Sequence, residues 1–260
     1  MRALFTAGCV LLLLALRAAP PPTPRAASPR VPVIVELFTS EGCSSCPPAD
    51  ALLAELDEKQ PFAGAQIIAL EEHVDYWNHD GWRDPFSSSI FTERQEEYAR
   101  HFRIPSPYTP QMVVGGRTEF SGSARSRVPA AISAAVEAPQ AELALSLAPG
   151  PEPPAVSASV RVERFPAGIQ ERADVLLAVS EDALSSNVGA GENAGRHLEH
   201  RAVVRKLLFA GRAEPGKSFS QEVKIALDRG WKREHLHVVA LLEGHSSGQI
   251  FGAASAAVAP

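Results

Sequence analysis

The chain has few of the residues that would identify it quickly. Three cysteines in 260 residues are too few for a disulfide-stapled scaffold, so their positions matter more than their number. Basic residues are outnumbered, 25 to 30, and with a net charge of −5 a polyanion-binding surface is not the default expectation. Nucleic acid is therefore not among the expected partners. No run of about 20 apolar residues occurs, so no ordinary spanning helix is expected. Methionine is scarce, Met112 being the only one besides Met1. What remains is ordinary: 45% hydrophobic and 21% charged residues suit a folded globular protein rather than a disordered chain.

The first 27 residues read as a signal peptide and tether. Arg2 precedes an apolar stretch, Ala3 to Leu16, that is too short to cross a bilayer, and small residues and prolines follow. Cleavage is expected between Ala18 and Ala27. The expected location is periplasmic or secreted, with no stable membrane span in the mature chain. Removing the signal removes Cys9 and leaves Cys43 and Cys46 in a compartment where thiols oxidise.

From Val31 the pattern is α/β. Val33 to Phe38 is a nearly continuous apolar run, as in a strand buried on both faces. Pro47 to Glu58 is helical by its leucine spacing, Ala65 to Leu70 is a second strand, and Ser88 to Phe102 is an amphipathic helix. Gln111 to Val114 turns through Gly115-Gly116 into Thr118 to Phe120, and Val128 to Val136 is a closing helix. Beyond about residue 140 the grammar changes to short alternating strands between Pro and Gly turns, which predicts a β-sandwich. The expected domains are 31–137 and 140–260.

The chemistry is expected at Cys43 and Cys46. A buried strand, a Cys-x-x-Cys turn and a helix start together bring two sulfurs within bonding reach and set a helix dipole beside Cys43, favouring its thiolate. Glu36, inside the first strand, would have a raised pKa through desolvation and could exchange a proton; a plain strand-end carboxylate is the other reading. The segment Glu71 to Asp84 is the richest polar stretch and is read as a loop. Tyr76, Trp77 and Trp82 would anchor a lid, with His73 and Asp75 satisfying its backbone. A soft metal site built from Cys43, Cys46 and His73 is the alternative. Gly191 to Arg201 reads either as a solvated loop or as a contact near the disulfide.

Two places in this sequence resemble the thioredoxin superfamily: Val33 to Asp50, with Cys43-Ser44-Ser45-Cys46-Pro47, and Tyr98 to Gly116. The resemblance implies an α/β thioredoxin-like first domain, followed here by a mainly antiparallel β-sandwich domain. It also implies a cis Thr109–Pro110 peptide beside the disulfide, with Thr109 and Pro110 positioning a substrate; Tyr76 and Trp77, as lid residues, are expected to shape its access. A closer resemblance, carried by Glu36 to Asp50 and His73-Val74-Asp75-Tyr76-Trp77, is to a secreted bacterial family known only as a domain of unknown function. The expectation is an exported thiol-disulfide oxidoreductase that needs no cofactor and acts on exported protein thiols or a redox partner. The alternatives are a binding module with a static disulfide and a copper or zinc carrier.

Overall fold

The computed structural model describes residues 30–79, 81–152 and 154–260; the expected signal peptide lies outside them. In chain order the elements are β1 (Val31–Thr39), α1 (Pro47–Lys59), β2 (Ala65–His73), α2 (Ser89–Phe102), β3 (Gln111–Val114), β4 (Thr118–Ser121) and α3 (Val128–Glu137). They continue with β5 (Glu142–Pro149), β6 (Ala155–Arg164), β7 (Ala173–Glu181), β8 (Leu184–Asn187), β9 (His197–His200), β10 (Val203–Ala213), β11 (Phe219–Ala226), β12 (Leu236–Gly244) and β13 (Ile250–Ala257).

The expected architecture, a thioredoxin-like domain followed by a separate β-sandwich, is not what forms. Strands from both halves merge into one mixed eight-stranded sheet, in the order β13-β12-β7-β10-β2-β1-β3-β4. The joint is β2 against β10, where Val203 pairs with Glu71 and the Glu71 N–H donates to the Ala202 carbonyl at 2.9 Å. The link between α3 and β5 near residue 140 is a loop in the chain, but the sheet does not break there. The physical reason is an unpaired edge. The C-terminal end of β2 would otherwise be an open edge, and β10 pairs with it at Glu71.

Local signals explain the elements. Pro47 and Pro48 open α1, where their missing N–H groups cost little, and the helix ends at Gln60 in the left-handed region. Ser88 caps α2 by accepting the Ile90 N–H on its side chain. One core lies between the sheet and α1 and α3: Val33, Val35 and Leu37 pack with Leu52, Leu53 and Ile132. A second lies between the sheet and a three-stranded layer, β11-β6-β5, where Val160 and Ile225 meet Leu177 and Val238. A third, containing Ile34, Ile68 and Leu70 with Val204 and Val239, joins the two halves. Fully burying one such aliphatic side chain stabilises the fold by about 1.5–3 kcal/mol, so this seam is a substantial part of the structure.

Candidate functional site

Cys43 and Cys46 form a disulfide with a Cα–Cα distance of 5.4 Å. Ser44 and Ser45 between them are exposed, yet the cysteines themselves are 1% and 0% exposed. Three pieces of chain cover them. Trp77 rests on the turn, its Cβ lying 3.0 Å from where a side chain at Gly42 would begin, and its indole N–H donates to Thr109 Oγ1 at 2.8 Å. Trp82 donates to Glu41 Oε2 at 2.8 Å. From the second half, buried Asn193 donates to the carbonyls of Glu41 (2.8 Å) and Cys43 (3.0 Å), while Glu192 accepts the Ser44 N–H at 3.0 Å. The 191–201 segment thus includes a contact at the disulfide, the sharper of the two readings of that stretch.

The start of α1 supplies less than its position suggests. Pro47 and Pro48 have no N–H, and the amides of Ala49 and Asp50 close onto the Cys46 carbonyl. The polar neighbour of the Cys43 sulfur is the Ser45 hydroxyl, at 3.3 Å. The Thr109–Pro110 bond is cis. Pro110 is buried, and it and Ala49 of α1 lie together around Gly122.

Glu36 does not face α1. Side chains alternate along a strand: Leu37 and Thr39 point to the α1 face and Glu36 to the other. There its carboxylate accepts from Arg94 Nε (2.6 Å) and Tyr98 OH (2.6 Å) of α2. Arg94 also pairs with Glu243 of β12 at 2.8 Å. Burial pushes the Glu36 carboxyl up against the pull of Arg94, and it pushes Glu72, 3.6 Å from the same guanidinium, well above the carboxylate range. This is a structural ion cluster that ties α2 to both halves of the sheet.

The acid on the disulfide side is Asp50, one helical turn beyond Cys46, which the sequence alone did not single out. It is buried, accepts a 2.6 Å hydrogen bond from Thr39 Oγ1, and is raised to about 7 by desolvation with help from Glu71. The i, i+4 spacing from Cys46 was the available signal. The sign of its effect on stability follows. A carboxyl raised from 3.8 to about 7 favours the fold at low pH, and that contribution is lost as pH rises through 7. Asp50→Asn is expected to flatten this loss, since each pH unit separating the folded from the unfolded titration is worth about 1.4 kcal/mol. Urea unfolding at pH 5 and pH 8.5 checks it; parallel losses in parent and variant would refute it.

The expected polar loop begins later than Glu71. Glu71, Glu72 and His73 are buried residues of β2, because β1 pairs with that strand through Thr39–His73 and β10 flanks it at Glu71. Among the described residues the loop is 74–79 and 81–87. Asp75 accepts the Thr92 hydroxyl at 2.6 Å, and Tyr76 donates to Gln95 at 3.0 Å. The His73 carbonyl accepts the Ser88 N–H at 3.1 Å, at the end of that loop, and its ring lies with Glu71 and His200 rather than with the cysteines. Its Nδ1 lies 2.7 Å from Asp84 Oδ2 and its Nε2 3.4 Å from Glu71 Oε1. Glu71 Oε1 is also 2.8 Å from Nδ1 of His200, at the end of β9. Burial opposes every charge here, yet the partners prevail. His200 is raised to about 9 by Glu71 and Glu41, Glu71 is lowered to about 2 by His200 and His73, and Asp84 to about 2 by His73.

Fold and site together define a β-rich protein with one mixed sheet and an occluded Cys-x-x-Cys disulfide at the start of its first helix. The chain belongs to the family described as "Protein of unknown function (DUF1223)", which matches residues 34–243. The crystal structure of a protein from Agrobacterium tumefaciens is similar, with a TM-score of 0.67 and 27% identity over 88% of this chain and 95% of that one. HBP35 of Porphyromonas gingivalis shares the fold, with a TM-score of 0.57 and 17% identity over 89% of this chain and 76% of its own. No curated protein matches. None of these assigns the chain to the thioredoxin superfamily. Among the described residues no helix is long and apolar enough to cross a membrane.

Proposed function

We propose that the protein is an exported thiol-disulfide exchange protein whose Cys43–Cys46 disulfide is uncovered by displacement of its cap. The observation that carries this reading is Asp50, a buried acid titrating near neutrality one turn from Cys46. Such an acid is matched to proton transfer at pH 7. A cleft of about 510 Å³ lined by Pro47, Asp50 and His197 gives that side of the helix access to water.

In the proposed step a partner thiolate attacks Cys43 Sγ, the Cys43–Cys46 bond breaks, and the Cys46 sulfur leaves as a thiolate that takes a proton from Asp50. A second partner thiolate then attacks the partner sulfur of the mixed disulfide and releases Cys43. Two electrons pass from the partner dithiol to the pair, and the partner leaves as a disulfide. Thr109, Pro110, Tyr76 and Trp77 would border the incoming chain once the cap moves. Burial of both sulfurs favours a second reading, a static disulfide in a binding module.

A redox titration against glutathione separates the two. A potential well below about −300 mV marks a structural bridge and refutes cycling. The cap makes a further demand. Asn193→Ala leaves the Glu41 carbonyl unpaired, while that of Cys43 keeps the Cys46 N–H at 3.2 Å; the loss is about 1–3 kcal/mol, so reduction of the disulfide by dithiothreitol is expected to quicken about tenfold. An unchanged rate would mean that the cap does not limit access.

A further inference from the structure

The geometry points to a second site that does not use the cysteines: Glu71, His73 and His200 form a buried binding site for a divalent cation of the zinc class.

Glu71 and His73 are two residues apart on β2 and so share a face of the strand, and the end of β9 brings His200 to them. One donor atom from each lies within 4.8 Å of the others. Around a tetrahedral ion, ligand atoms stand roughly 3.3 Å apart; Glu71 Oε1 is 3.4 Å from His73 Nε2, while its 2.8 Å contact with His200 Nδ1 is a hydrogen bond that an ion would replace. His73 Nε2 is buried and faces Glu71 Oε1 at 3.4 Å without a well-aligned hydrogen bond among the described residues. An unsatisfied buried nitrogen needs an explanation, and a ligated ion is one.

The outer contacts point the same way. The other nitrogen of each imidazole meets a carboxylate: His73 Nδ1 with Asp84 at 2.7 Å, and His200 Nε2 with Glu41 at 3.2 Å. Carboxylate-backed histidines are how proteins orient imidazoles on a metal. The other oxygen of Glu71 is fixed by the Arg201 N–H at 3.0 Å. The Phe86 ring stands edge-on to both imidazoles and closes the site. Two nitrogens and one oxygen select a borderline ion over calcium or magnesium, which take oxygen ligands, and over copper(I), which takes sulfur. A cleft of about 350 Å³ that reaches His200 offers an entry route.

The test uses the full chain, oxidised at Cys43–Cys46 and stripped with chelator. Incubated with zinc chloride and desalted, it is expected to retain one zinc per chain. His73→Gln and His200→Gln should abolish retention, and Asp84→Asn should weaken binding about 10–100-fold. Cobalt(II) chloride guards against misfolded variants, because it reads the parent protein directly. Visible bands of a four- or five-coordinate ion without a thiolate charge-transfer band support the site. No retention by the parent, equal retention by both histidine variants, or a thiolate band each overturns it. Failure here leaves the redox titration untouched, and failure of that titration leaves this site intact.

Discussion

Arg94→Met is expected to lower the unfolding free energy by about 3–5 kcal/mol, the cost of leaving a buried charge without its partner. Among the described residues Arg94 is the cation paired with Glu36, which is wholly buried, and Glu243, which is mostly so; Tyr98 bridges it to Glu36. Against a total stability of about 5–15 kcal/mol, such a loss is severe. Replacing the whole cluster with apolar residues of matching volume should cost far less, because an ion cluster in a dry interior returns little beyond its desolvation penalty. Urea denaturation followed by circular dichroism measures both. A loss under about 1 kcal/mol for Arg94→Met would show that solvent reaches the cluster. Glu243 belongs to β12 and Glu36 to β1, so the variant also tests whether the two halves unfold together: a split into two transitions would mean the seam depends on Arg94.

The second large effect concerns the sulfurs. Cys43→Ser is expected to abolish exchange with a model dithiol, because no sulfur remains at the attacked position. Cys46→Ser, offered an oxidised model disulfide, is expected to accumulate mixed disulfides through Cys43, since in this reverse direction the thiol that would displace the partner is gone. Mass spectrometry of trapped species under non-reducing conditions reads the difference. Equal residual activity in both variants would remove the exchange mechanism. Equal loss of stability without any trapped adduct would favour the static bridge. Both variants break the same disulfide and lose the same constraint on the unfolded chain, commonly about 2–4 kcal/mol. Stability alone therefore cannot separate the mechanisms; the adduct can.

Much of the local structure is legible in the residues. The apolar run of β1, the leucine spacing of α1 and the capping serine of α2 act over a few neighbours, so periodicity and turn chemistry suffice to read them. The Cys-x-x-Cys pair follows from spacing alone. The consequence of Pro47-Pro48, two missing donors beside the disulfide, is also written there, and it works against the expected dipole at Cys43.

Other features belong to the tertiary structure. The sequence of β7 does not reveal that β10 lies between it and β2, because strand order is set by which edges and apolar faces remain to be covered after local elements form. Glu71 and His73 look like loop residues until strands on both sides claim them, and His200 enters the same cluster from 127 residues beyond His73. In the proposed exchange Asp50, which the sequence did not single out, takes the part expected of Glu36 for a similar reason. The alternation of β1 turns one carboxyl toward α2, and the helix carries the other to the disulfide side. Sequence decided which groups could do chemistry, since composition and spacing are local. Only the fold decided which of them meet, since burial and partnership are relations between distant parts of the chain.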